Sequence, residues 1–332
     1  MSAAPRCITV ESPARLHLGF VDLSGDLGRK FGSLGLAIEG LSTIVSATRS
    51  QSLTATGLES ARTLGYARDV LASLQLDPCV ALDVHTAIPA HAGLGSGTQL
   101  ALAVASAITT ACDFERSVPE LAELTGRGAR SGIGIGVFAS GGFVVDGGRS
   151  DKSSVPPVLA RFDFPADWRV ILVHDEAHEG LSGSAENAAF RDAPPMRVAL
   201  AERLCRLTLM GVFPALVERD FATFATSIAQ IQAIIGDYFS PFQGGRFTSP
   251  DVAAAVAYLR DAHGLHGIGQ TSWGPTGFAF APSAAVAAAA VRAAAARFAD
   301  QPHVGFSVHA ARNTGASIQR SAAAKQRSNA TA

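Results

Sequence analysis

The residues best placed to do chemistry stand at Gly93, Leu94, Gly95, Ser96, Gly97 and Thr98. Three glycines alternate with a leucine, a serine and a threonine, and no acidic side chain interrupts them. An alternating run from Val80 to Ile88, with Val80, Leu82 and Val84 on one face, predicts a strand before the loop. Leu100, Val104, Ala107 and Ala111 predict a helix after it. Glycine removes the Cβ atoms that would hold a ligand away, and a helix N-terminus presents free N–H groups and a positive dipole end. The chemistry implied is the cradling of phosphate oxygens. The same spacing also makes a ligand-free strand-to-helix turn. A Walker A loop is excluded, since it needs a Gly-Lys-Ser/Thr end and the lysines are Lys30, Lys152 and Lys325. A dinucleotide fingerprint is excluded as well, because the spacing is GxGxG and Asp113 falls at the end of the helix.

Further candidates lie on either side. Leu16, Leu18 and Phe20 face one way on a predicted strand, while Arg15, His17 and Gly19 face the other, toward solvent or a site. Asp22 and Asp26 follow in a turn. Arg127, Arg130 and Ser131 stand in a run of small residues from Gly126 to Gly142, which suits an anion-binding turn or close helix packing. The charged cluster from His174 to Gly183 lacks HxxxH spacing and reads as a solvated loop rather than a metal site.

The elements that must position these groups come in two blocks. Strands are predicted at Cys7–Val10, ended by Pro13, then at Arg15–Phe20, Leu34–Glu39 and Ser42–Thr48, with a helix over Ser60–Leu74. A polar, proline-bearing stretch from Gly147 to Pro157 marks a boundary, giving units 1–155 and 156–320 and a disordered tail at 321–332. The second block holds a strand near Trp168–His174, helices over Pro195–Arg219, Phe221–Ile235, Asp251–Ala262 and Ala284–Phe298, and a strand at Val304–Val308. A net charge of −1 over 332 residues gives no sign of a nucleic-acid or membrane surface. Cys7, Cys79, Cys112 and Cys205 are scattered, and Met1–Val10 has no apolar leader, so a cytoplasmic location is expected.

The loop resembles the second motif of the GHMP kinase superfamily, Pro-x-x-x-Gly-Leu-Gly-Ser-Ser/Gly, here running from Pro89 to Gly97. Pro13 to Gly19 resembles the first motif of that superfamily, and Gly267 to Phe280 stands where its third belongs. The resemblance spans nearly the whole chain. It implies an α+β fold, with an N-terminal domain like ribosomal protein S5 domain 2 and a C-terminal ferredoxin-like domain. One departure is informative. Members with an aspartate base carry Ser-Gly-x-Asp before a Gly-Gly pair, whereas this chain has Ser131, Gly132, Ile133 and then Gly134, with the pair at Gly141 and Gly142. Glycine cannot take a proton from an alcohol, so that kind of phosphoryl transfer loses its base.

Ser12–Leu23, Phe239–Gly245 and Gly267–Thr276 look like the β-ribofuranosylaminobenzene 5′-phosphate synthase branch of the superfamily. That resemblance implies a decarboxylating phosphoribosyltransferase. Such an enzyme joins 4-aminobenzoate to phosphoribosyl pyrophosphate with release of CO₂ and pyrophosphate, on the way to tetrahydromethanopterin. It implies Mg²⁺ and no ATP, small-molecule substrates without nucleic acid or membrane, and a homodimer as the candidate assembly. Arg15, His17 and Arg130 become the candidate catalytic residues, His17 being either a donor to a leaving oxygen or an ordinary buried histidine. Gly93, Leu94, Gly95, Ser96, Gly97 and Thr98, with Arg127 and Ser131, become the pyrophosphate site. Gln270, Ser272 and Trp273 would line the aromatic pocket, Trp273 by stacking or simply as core. Asp22 and Asp26 would contact the metal. The alternative is an ATP-dependent GHMP small-molecule kinase.

Overall fold

The computed structural model describes residues 6–180 and 183–322. In chain order the first block comprises β1 (Arg6–Asp22), β2 (Phe31–Arg49), β3 (Thr54–Gly57), α1 (Ser60–Ser73), β4 (Val80–Thr86), α2 (Ser96–Ala111), α3 (Val118–Leu124), α4 (Ile133–Ser140), β5 (Phe143–Asp146) and β6 (Val158–Phe162). The second begins at β7 (Arg169–Asp175) and continues with α5 (Gly183–Asp192) and α6 (Val198–Leu207). After a π-helical turn at Thr208–Val212 come α7 (Phe213–Glu218), α8 (Phe221–Gln243) and α9 (Pro250–His263). The block closes with β8 (Ile268–Gln270), β9 (Gly277–Ala281), α10 (Ala284–Arg297), β10 (Val304–His309) and β11 (Ser317–Ala322).

Among the described residues one sheet has seven strands, in the order β11-β1-β2-β4-β3, with β5 joined to β2 and β6 to β5. The other has four antiparallel strands in the order β10-β7-β9-β8. Strands and helices in both blocks give the expected α+β architecture. The sheets divide the chain after Phe162 rather than at 155/156, because β6 pairs with β5. The C-terminal strand β11 then crosses back to the first sheet, so Ser321 and Ala322 belong to a strand and not to a disordered tail. Residues 323–332 of that expected tail lie outside the described residues.

Pro13 does not break the first strand, which runs unbroken for 17 residues. The pairing of β1 with β2 instead shifts between Pro13 and Ala14, where a proline without an N–H is tolerated. That shift exchanges the two faces of the strand. Ile8 and Val10 lie in the core under α1 and α2, whereas Leu16 and Leu18 lie in a core shared with Phe164, Phe224 and Phe280 of the second block. Beyond the shift, Arg15 and His17 therefore turn to the Gly-rich loop instead of to solvent.

Candidate active site

Gly93 and Gly95 both adopt the left-handed conformation, with φ of 73° and 84°. Gly95 is the N-cap of α2, and no side chain caps that helix; the Thr98 N–H donates to the Gly95 carbonyl at 3.1 Å, which leaves the Ser96 and Gly97 N–H groups open to a ligand. The loop is held from behind. The Gly93 carbonyl accepts hydrogen bonds from Arg15 Nη1 at 2.7 Å and from Thr271 Oγ1 at 2.8 Å. Arg15 N–H donates to the Leu94 carbonyl at 3.1 Å. Thr271 Oγ1 in turn accepts from the His17 N–H at 2.8 Å. One threonine hydroxyl thus fastens β1, the Gly-rich loop and the β8–β9 turn together. A Cβ at Gly93 would come 2.3 Å from the Thr271 carbonyl, so the close approach demands glycine. Deeper down, fully buried Gln99 bonds to Ser12 on β1 and donates to the Gly134 carbonyl of α4 at 2.8 Å.

In front of the loop is a cavity of about 170 Å³ whose lining includes Arg15, His17, Thr98, Arg127, Arg130 and Glu186. Three guanidiniums against one carboxylate make it an anion site. Arg15 Nε and Arg127 Nε are both buried without a hydrogen-bond partner. Burial lowers the Arg15 pKa to about 10, partly offset by Glu186, so the group is still charged at neutral pH. Burial, reinforced by Arg15 and Arg130, lowers the His17 pKa to about 3. His17 Nδ1 accepts from the Gly19 N–H at 3.2 Å, which puts the single ring proton on Nε2. The histidine is buried and neutral, and it keeps one N–H to donate.

Arg130 is already engaged. Its Nη2 lies 2.9 Å from Glu186 Oε1, its Nη1 donates to Asn187 Oδ1 at 2.8 Å, and its guanidinium sits 4.6 Å from the Phe190 ring centre. All three partners belong to α5. Burial raises the Glu186 pKa, and Arg130 and Arg15 oppose that rise. Arg127 donates to the Tyr66 hydroxyl on α1 and lies over that ring. Ser131 donates to Asp146 Oδ2 at 3.3 Å, and the same oxygen accepts from the Gly132 N–H at 2.8 Å.

The third segment lies on the far side of His17. Gln270 is hydrogen-bonded throughout: Oε1 accepts from the Thr248 N–H at 2.7 Å and Nε2 donates to the Ser272 carbonyl at 3.2 Å. Trp273 is 4% exposed, with Phe239 4.5 Å and Phe190 5.4 Å away between ring centres, and so belongs to the aromatic core. Its edge still meets a narrow cleft shared with His17, Phe20 and Ser272. Asp22 and Asp26 are elsewhere. Both accept from Ser24 Oγ in the β1–β2 turn, at 2.6 and 2.7 Å, and neither lines the cavity. The carboxylate that does line the cavity, Glu186, is held by Arg130. In the His174–Gly183 stretch, Asp175 accepts from Ser249 Oγ at 2.7 Å, and Ser249 caps α9. His303 and Asp251 pair 2.9 Å apart beside it.

Sequence reasoning missed Thr271, Glu186, Asp146, Tyr66 and Arg62. Arg62 Nη2 would be 3.0 Å from a Cβ at Gly97. Thr271 lies within the third motif, but nothing in the sequence says that its hydroxyl meets Gly93, 178 residues away. Among the described residues no helix is long and apolar enough to cross a membrane.

Residues 61–142 match the GHMP kinases N terminal domain, and residues 212–300 match the GHMP kinases C terminal family. The chain is 32% identical over 293 residues to the β-ribofuranosylphenol 5′-phosphate synthase of Methanothermobacter thermautotrophicus, covering 81% of this chain and 87% of that one. It is 32% identical over 292 residues to the protein of the same name from Archaeoglobus fulgidus, covering 83% and 88%. The fold is similar to that of mevalonate diphosphate decarboxylase from Staphylococcus aureus, with a TM-score of 0.67, 16% identity, and coverage of 95% of this chain and 98% of that one.

Proposed function

Since the chain belongs to the GHMP kinase superfamily, in the family of the β-ribofuranosylphenol 5′-phosphate synthases, we propose that it transfers a phosphoribosyl group to an aromatic acid. The donor is phosphoribosyl pyrophosphate, and the products are pyrophosphate, CO₂ and a ribofuranosyl-arene 5′-phosphate. The family relatives are named for a phenol product, so the acceptor carries a para hydroxyl in that case and a para amino group in the 4-aminobenzoate case. Both substituents push electrons toward the carbon that bears the carboxylate.

The observation that carries this reading is the open N-terminus of α2 faced by buried guanidiniums with unpaired Nε groups. Loss of pyrophosphate leaves an oxocarbenium-like ribose carbon, and the protein's task is to hold the leaving charge and align the ring. The Ser96 and Gly97 N–H groups and the Thr98 hydroxyl at the start of α2 receive the departing pyrophosphate, with Arg15 and Arg127 beside it. His17 donates through Nε2–H without becoming charged. The ring carbon attacks, and CO₂ leaves in place of a proton, so position 134 needs no carboxylate. The aromatic side chains of Phe20 and Phe190 offer the acceptor a wall. Mg²⁺ was expected at Asp22 and Asp26, which face elsewhere, and no step here is routed through it.

The test is direct. Purified protein is incubated with phosphoribosyl pyrophosphate and carboxyl-labelled 4-hydroxybenzoate or 4-aminobenzoate. Pyrophosphate and labelled CO₂ should appear in equal amounts. Turnover of ATP with neither of these acids consumed would replace the reading with a kinase.

A further inference from the structure

The Gly-rich loop meets two guanidiniums on one side, two residues apart. A Cβ at Gly95 would lie 3.2 Å from Arg15 Nε, and one at Gly97 would lie 3.0 Å from Arg62 Nη2. Arg62 comes from α1, an element no part of the proposed chemistry has yet used. Its Nη1 pairs with Glu59 at 3.0 Å, which leaves the Nη2 edge turned to Gly97. Arg127 Nη1 and the Tyr66 hydroxyl would lie 3.8 and 3.9 Å from the same Cβ, and Arg127 donates to that hydroxyl. Two arginines and a tyrosine thus converge on the outer edge of the α2 N-terminus. Arg15 stands alone at the inner edge, beside His17.

Glu59 neutralises only part of this outer group, and a single phosphate at the inner edge would leave Arg127 without a counter-charge. A diphosphate has two charged centres and spans both edges. We propose that Arg62, with Arg127 and with Tyr66 as the residue that positions Arg127, is a clasp for the terminal phosphate of the diphosphate. In this arrangement Arg15 beside Gly95 holds the inner phosphate, and the loop distinguishes a diphosphate from a monophosphate by reach. This rests on the phosphoribosyl pyrophosphate reading for its substrate, while its geometry is that of α1 and the loop alone.

The test uses the full chain and calorimetric titration with inorganic pyrophosphate and, separately, inorganic phosphate. Arg62→Ala should weaken pyrophosphate binding by about tenfold, the scale of a lost charge-assisted contact. Its phosphate affinity should stay within about twofold, because the inner site is untouched. Arg62→Lys should recover part of the loss as a point charge without the fork. Tyr66→Phe should raise KM for phosphoribosyl pyrophosphate with kcat and the KM for the aromatic acid unchanged. Equal pyrophosphate affinity in wild type, Arg62→Lys and Tyr66→Phe would overturn the clasp, whether or not Arg62→Ala folds. If pyrophosphate binding depends on Arg62 but wild type turns over no phosphoribosyl pyrophosphate, the clasp stands and the proposed reaction falls.

Discussion

Gly134 lies against Thr98: a Cβ at position 134 would come 3.0 Å from Thr98 Cγ2, and both residues line the cavity in front of the Gly-rich loop. The place where related kinases carry a base is therefore packed against Thr98 at the cavity wall, and it is bare. Gly134 is helical, and its carbonyl is held by Gln99, so a side chain there alters the cavity more than the backbone. Gly134→Asp should displace the Thr98 methyl by a few tenths of an ångström, place a carboxylate beside three arginines, and compete with the anionic substrate. We expect KM for phosphoribosyl pyrophosphate to rise by about tenfold or more. Steady-state kinetics check this; a variant with unchanged KM would show that phosphate binds away from Thr98.

Asp146 is the buried support under Ser131. Its two oxygens accept from the N–H groups of Gly132 and Gly148, both at 2.8 Å. Asp146→Asn must turn an amide NH₂ toward one of those donors, which should cost about 1–3 kcal/mol in a chemical unfolding titration. Burial raises the Asp146 pKa from 3.8 to about 6, against the hydrogen bonds from Gly148 and Gly132. A raised folded-state pKa means that its contribution to stability is complete below 3.8 and is lost as pH climbs to about 6. The gap between wild type and variant should accordingly be wider at the acid end of that window than at neutral pH.

His17 gives the opposite sign. Its folded-state pKa is depressed from 6.5 to about 3, by burial first and by Arg15 and Arg130 next. The unfolded chain therefore takes up a proton that the native chain refuses, and stability falls as pH drops through this window. His17→Gln should flatten that fall by about 1.4 kcal/mol per pH unit between the two values. The wild-type rate profile should show no limb from His17 above pH 5, because the ring stays neutral. A limb near the ordinary histidine value that disappears in the variant would contradict this assignment.

What the sequence could and could not show follows from the range of the interactions. The Gly-rich loop, its flanking strand and its helix were legible because φ > 0 glycines and periodicity are local signals. Pro13 was misjudged because a proline stops a strand only where its missing N–H is needed, and the shift in the β1–β2 register removes that need. Arg15 was singled out as an anion-binding candidate, and its Nη1 is spent on the Gly93 carbonyl, a bond across 78 residues that no local signal shows. Asp22 and Asp26 have the chemistry for a metal, and their oxygens accept from Ser24 in their own turn, away from the cavity-lining residues, a placement no local signal shows. Glu186 carried no local signal, because its meaning depends on α5 reaching Arg130.

That contact sets the last prediction. Glu186 is the carboxylate among the cavity-lining residues, and it sits where an anionic substrate would find Arg130. A substrate carboxylate or phosphate approaching Arg130 must replace it or share it. Glu186→Gln keeps the size of the side chain and its contact with the guanidinium's surroundings, and it removes the competing charge. Arg130 remains held by Asn187 and by the Phe190 face, so the variant should not unfold. We expect its KM for the aromatic acid or for phosphoribosyl pyrophosphate to fall by about threefold to tenfold, with kcat little changed. The effect should shrink as salt rises, since added ions screen the same competition. A large loss of kcat with KM unchanged would instead make Glu186 a participant in the chemical step, and α5 would then count as part of the catalytic machinery.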